Sequence, residues 1–161
     1  MSMFLGTYPS RLDSKGRVSI PASFRAALKQ TSSSDEVSLV LRPSHLHACI
    51  DGWGMAAFEA LESALTRYDP LSSDYEDLAT SLYADAYPLM CDKDGRVSLP
   101  KILKQHAALT SDVIFMGLGK AFQIWDPEAA EKRRQKARQQ AQQLVQPRTP
   151  APSSSTQEER S

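Results

Sequence analysis

Two short peptides carry the chemistry most worth testing: Asp13-Ser14-Lys15-Gly16-Arg17 and Asp92-Lys93-Asp94-Gly95-Arg96. In each, a carboxylate precedes a guanidinium by four residues across a glycine. The glycine permits the positive φ that a tight strand connection needs. The aspartate can accept turn amides or hold the guanidinium in place. Arginine's planar fork can bridge phosphate oxygens or pair the two acceptors of a guanine edge. An isolated D-x-x-x-R reads best as a structural clasp closing a hairpin. The pattern occurs twice here, with Arg11 and Lys15 beside the first copy and Lys93 in the second, and this favours binding of a repetitive anion.

The duplication extends beyond the turns. Tyr8–Pro21 (YPSRLDSKGRVSIP) returns as Tyr87–Pro100 (YPLMCDKDGRVSLP) at an offset of 79, with 8 of 14 positions identical. Chance would give about one identity, so this is an internal repeat. In each copy a strand enters the turn (Met3–Leu12, Leu82–Cys91). A second strand leaves it (Arg17–Ile20, Arg96–Leu99), with Val18 and Ile20 on one face and Arg17 and Ser19 on the other. A proline then opens a helix, Ala22–Gln30 in the first copy and Pro100–Ala108 in the second. Closing strands are expected at Val37–Leu41 and His45–Ile50, and again at Val113–Met116 and Ala121–Trp125. The late strands match at a smaller offset, Asp51 with Asp126, through a shorter second Ser-rich loop. Thr31–Ser34 is read as a polar loop.

Between the copies, Phe58, Leu61, Leu65 and Tyr68 fall at helical spacing in Trp53–Tyr68. Asp69-Pro70 ends that helix, and Ser72–Leu82 starts another. Pro127–Leu144 reads as a solvated helix and Pro147–Ser161 as disordered. The expected organisation is residues 1–54 and 81–127 as two units, 55–80 as an acidic helical connector and 128–161 as a basic helical, then disordered tail.

Net charge is zero, but it is unevenly spread. Residues 1–31 hold five basic residues against Asp13, while residues 51–85 hold eight acids against Arg67. One basic and one acidic face are expected. Cys49 and Cys91 read as buried thiols. With no signal peptide or membrane-spanning run apparent, a cytoplasmic protein is expected.

Other constellations are weaker. His45 and His47 would share a face of one strand, but no third ligand is nearby, so no metal is expected. Asp92-x-Asp94-Gly95 fails as a calcium loop because Lys101 occupies the position of the bidentate Glu. Arg25 and Lys104 recur on the two helices as candidate phosphate contacts. The run Lys132, Arg133, Arg134, Lys136 and Arg138 reads as a solvated face that could add nonspecific attraction. No nucleophile–base pair or dinucleotide loop is present, so neither catalysis nor a cofactor is expected.

LDSKGRVSIP followed by a Phe-Arg helix, then a second GRVSLP with a basic helix and a FQIW strand, resembles the bacterial MraZ family over residues 3–126. The resemblance implies an α+β fold of two tandem swapped-hairpin units of SpoVT-AbrB type, related by a pseudo-twofold axis, with added helices. It implies a homo-oligomeric ring on the nucleoid that binds short repeated sites in double-stranded DNA. The resemblance places these sites upstream of the division and cell-wall gene cluster containing its own gene, with repression as the expected outcome. The family's DNA contacts carry over to Arg17 and Arg96, with Lys15. Leu5 departs from the basic residue many relatives place there, and Asp94 weakens the second turn. Two alternatives remain: a ring-shaped scaffold for an acidic protein and an antitoxin-like regulator.

Overall fold

A computed structural model describes residues 3–30 and 36–145. Contacts divide the chain into residues 1–130 and 131–161. The polar loop expected at Thr31–Ser34 and the disordered tail expected at Pro147–Ser161 lie outside the described residues.

Among the described residues, the first unit holds eight strands: β1 (Thr7–Arg11), β2 (Arg17–Ser19), β3 (Ser38–Pro43), β4 (Ile50–Trp53), β5 (Tyr87–Met90), β6 (Arg96–Ser98), β7 (Asp112–Gly117) and β8 (Phe122–Trp125). Helices α1 (Ala22–Gln30), α2 (Met55–Ala60), α3 (Ser73–Ala79) and α4 (Lys101–His106) punctuate them, and α5 (Pro127–Val145) follows β8.

Six strands form one antiparallel sheet in the order β1-β7-β8-β4-β3-β5. Reading the copies as equivalents, this order is a palindrome. The first strand of each copy pairs with the third strand of the other: Pro9 lies opposite Ile114, and Pro88 opposite Val40. Proline has no N–H for a ladder, which suits it to sheet edges. The repeated Tyr-Pro accordingly falls on both edge strands.

The two Arg-Val-Ser strands pair with each other as a separate ribbon, Arg17 opposite Ser98, Val18 opposite Val97 and Ser19 opposite Arg96. Val18 and Val97 are buried together at its centre. Beneath them, Ile20, Phe24, Leu28, Leu99 and Leu103 join Leu39, Leu41, Phe115, Phe122 and Ile124 in one core. Phe24 meets Phe4 edge-on with centroids 5.2 Å apart, and its counterpart in the second copy, Leu103, is equally buried. Each fully buried side chain of this kind contributes roughly 1.5–3 kcal/mol, and the ribbon rests on the largest buried cluster among the described residues.

Several expected boundaries are corrected. His45–Ile50 is not a strand; residues 45–49 bend, and β4 begins at Ile50. The Ser44 hydroxyl accepts the amides of Leu46 and His47, offering the backbone a local alternative to a ladder. The strand expected from Leu82 begins at Tyr87, because residues 80–84 continue α3 as a wide helical turn. Trp53 ends β4, and the expected helix starts at Met55 and tightens into a 3₁₀ turn over Leu61–Arg67. Phe58 and Leu65 are buried there, while Tyr68 is exposed. The equivalent of Asp51 is Gln123 rather than Asp126: β4 and β8 cross with these two residues opposite each other, and each strand ends in a tryptophan. The extra shortening lies in the β7–β8 hairpin loop, which spans residues 118–121, whereas the β3–β4 loop spans 44–49.

Helix α5 is continuous through Val145, and Ala130 is its only buried residue among those described. In the second unit its basic run is laced by contacts from Arg134 and Gln135 to Glu131. Among the described residues, no helix is long and apolar enough to cross a membrane.

Candidate nucleic-acid interface

The first turn is organised around the Asp13 carboxylate. Its Oδ1 accepts the amides of Lys15 and Arg17, each at 2.9 Å, and its Oδ2 accepts Arg17 Nε at 2.8 Å. The Arg17 amide, helped by its guanidinium and the Lys15 amide, holds the Asp13 carboxyl below its usual range. Gly16, at φ +76°, closes the turn by donating to the Asp13 carbonyl.

The second turn repeats this geometry. Asp92 Oδ1 accepts the Asp94 and Arg96 amides at 2.9 Å, and Oδ2 accepts Arg96 Nε at 3.2 Å. The Arg96 amide, with that of Asp94, lowers the Asp92 carboxyl in the same way. One contact has no analogue in the first turn: Arg96 Nη2 donates to Asp94 Oδ2 at 3.1 Å.

Each turn is completed by the other copy. Leu99 donates its amide to the Gly16 carbonyl at 3.0 Å, and Ile20 to the Gly95 carbonyl at 2.9 Å. The Lys104 side chain of α4 lies over Gly16, where an added Cβ would sit 2.6 Å from Nζ. Arg25 of α1 lies over Gly95, against which an added Cβ would collide with Nη1 and sit 2.7 Å from Cδ. The recurring helix cations therefore reach the turns, each across the repeat.

Arg17 and Arg96 leave the same face of the ribbon, opposite Val18 and Val97, because strand residues alternate. They are diagonal neighbours, a relation that sets such positions about 7–8 Å apart. The two D-x-x-x-R arginines thus form one paired feature rather than two separated tips. Asp13, Ser14, Gly16, Lys101 and Lys104 line an open groove of about 530 Å³ beside it. Lys15 and Lys93 occupy the turns, both exposed. Arg11 faces a different partner, Asp112, its opposite on β7, at 3.3 Å in an exposed ion pair.

The family model described as "MraZ protein, putative antitoxin-like" matches residues 3–79 and again 82–148. The chain belongs to the MraZ family. "Transcriptional regulator MraZ" of Gluconobacter oxydans (strain 621H) is 62% identical over 151 residues, covering 94% of this chain and 92% of that protein. The protein of the same name from Gluconacetobacter diazotrophicus is 55% identical over 147 residues, covering 91% and 93%. That from Azorhizobium caulinodans is 40% identical over 144 residues, covering 89% and 90%. The MraZ likeness was expected to stop at residue 126; the second match instead carries it through α5.

Two features of this MraZ chain escaped the sequence reading. Lys101 reaches the first turn's groove from α4, which only the exchange between copies explains. Arg42 is buried, and its Nη2 donates to the Ser81 carbonyl at 2.9 Å and meets His45 Nδ1 at 2.9 Å. Burial, then the nearby Arg42 charge, pushes the His45 imidazole below its ordinary value. An arginine inside the apolar run Ser38–Pro43 was the available signal. The shared histidine face is corrected: His45 joins Arg42 and Ser81, while the His47 ring lies tilted against Trp125 with centroids 5.5 Å apart. Among the described residues, no group of three or more His, Cys, Asp or Glu side chains could hold a metal. Burial raises the Cys91 thiol to about 11, which keeps it protonated at neutral pH.

Proposed function

We propose that the chain is a transcriptional regulator that binds double-stranded DNA through the β2–β6 ribbon. The observation that carries this reading is the pair of carboxylate-steadied arginines on one face of a rigid two-stranded element, with Lys15, Lys101 and Lys104 beside them. A β-ribbon is narrow enough for the major groove, and a held guanidinium reaches phosphate or a guanine edge at a reduced entropic cost. The lysines supply the sequence-independent phosphate contacts. The relatives' shared name, transcriptional regulator, supports the same conclusion.

In this reading residues 1–54 and 81–127 are two swapped-hairpin halves of SpoVT-AbrB type, and the exchanged strand pairing supports it. Residues 55–80 connect them, and 128–161 form the tail. The chain assembles into a homo-oligomeric ring on the nucleoid. There it represses the division and cell-wall cluster that contains its own gene by engaging successive short direct repeats. Modest contacts then multiply through effective concentration.

Anisotropy titrations of the full chain against a duplex of its upstream repeats and a scrambled duplex test the reading. Affinity should fall with salt with a log–log slope near −0.9 per phosphate contacted. Arg17→Ala should remove the preference for the repeat duplex while the oligomer persists in gel filtration. Wild-type binding by an assembled Arg17→Ala protein would refute the assignment.

A further inference from the structure

Arg96 differs from Arg17 in what already holds it. In both turns an aspartate takes Nε, but in the second a further carboxylate, Asp94, takes Nη2. The position of Asp94 in the first turn is Lys15, a cation. Nε and Nη2 form the side-on fork with which a guanidinium meets a phosphate or a base edge, so in Arg96 that fork is filled from within the chain. Asp94 is also the most exposed member of the second clasp, its side chain 59% accessible against 38% for Asp92. Asp92 is bound into the turn through two amides, whereas Asp94 meets Arg96 through one solvent-facing ion pair and is free to be displaced.

We propose that Asp94 is an internal competitor for the anion that Arg96 binds. Its carboxylate stands in for a phosphate when DNA is absent and has to be displaced for the second turn to engage. The two turns are thereby graded. Arg17, flanked by Lys15 and Lys104, is open to DNA from the start. Arg96 joins only when an anion outcompetes Asp94, with Arg25 over Gly95 as the cation that helps draw it in. Asp94 is therefore a residue that sets the strength and salt sensitivity of the second contact, and through it how strictly the chain demands a correctly placed second site.

This inference rests on the DNA-binding reading above, and its test separates the two. Wild type, Asp94→Asn, Arg96→Gln and the double variant are titrated with the upstream-repeat duplex across a salt series. Asparagine keeps the backbone amide that donates to Asp92, so the turn is retained, and thermal melts compare the folds. Asp94→Asn should bind about 2- to 5-fold tighter, the range that an exposed ion pair is worth. The salt dependence should steepen by up to about 0.9 in slope as one more phosphate is engaged. In the Arg96→Gln background the same substitution should change affinity little, because the group competed for is gone. An unchanged or weaker Asp94→Asn protein would overturn the inference. So would an equal gain with and without Arg96, which would make Asp94 a general repeller. Loss of repeat binding in Arg17→Ala together with no gain in Asp94→Asn would sink this inference alone, whereas wild-type binding by Arg17→Ala would sink the DNA-binding reading itself.

Discussion

The two copies share a scaffold and differ in charge. Both turns place glycine at φ near +77°, both use an aspartate to gather two amides and a guanidinium, and both are closed by an amide from the other copy. Yet the position of Lys15 is taken by Asp94 in the second copy, and the cation over the first turn is Lys104 where that over the second is Arg25. Away from the turns the copies also differ at one buried position. The first copy buries Arg42 opposite Asp51, where the second has Met116 opposite Gln123. Scaffold positions are kept because the exchanged strands must satisfy each other. The exposed charges of the turns diverge because nothing in the packing compels them to match.

That contrast can be tested by substitution, beginning with the copies' cores. Arg42→Ala should destabilise the fold by about 3 kcal/mol, since Ser81 and His45 lose a buried donor and a cavity opens. Met116→Leu at the equivalent site should cost less than about 1.5 kcal/mol. Urea denaturation would compare them, and similar losses would mean that the buried arginine is no more than space-filling.

The turn glycines should differ next. Gly95→Ala should cost about 2 kcal/mol and Gly16→Ala about 1 kcal/mol, because both adopt a left-handed backbone. At Gly95 the methyl meets Arg25 along its aliphatic stem and guanidinium, whose Nε is already buried without a partner. At Gly16 it meets only the flexible tip of Lys104. Equal costs in thermal melts would show that Arg25 yields as easily as Lys104.

Acid should separate the copies least. Asp13 and Asp92 are both held below the ordinary 3.8 in the fold. Their contribution is fully present above that value and is lost as pH falls through the lower folded value. Stability measured by denaturation at stepped pH should therefore be flat in this respect above about pH 5 and fall below pH 4. Asp13→Asn and Asp92→Asn should each blunt the fall. An unchanged acid limb in both variants would place the titrating groups elsewhere.

Much of this was legible in the sequence. The repeat, the glycine turns, the alternating Arg-Val-Ser strands and the proline-led helices all follow from local rules that the chain obeys twice. The exchange between copies was not legible as pairing, because Val18 is satisfied equally by a strand of its own copy or by Val97. Local periodicity sets which face is buried and says nothing of the partner. The same ambiguity hid which turn Arg25 and Lys104 would reach. Boundaries failed where a side chain competed with the backbone, as at Ser44, or where α3 overran into residues 80–84. The candidate site's arginines were found from sequence, and their convergence on one ribbon face needed the fold.

The central claim is that one ribbon face binds DNA with two unequal arginines. Arg17→Ala and Arg96→Ala, confirmed as assembled, should be titrated side by side against the upstream-repeat duplex at one salt concentration. Both variants should weaken binding, and Arg17→Ala should weaken it more, by about tenfold or greater, the scale of one good base contact. Equal losses would contradict the inequality, and no loss in either variant would contradict the site.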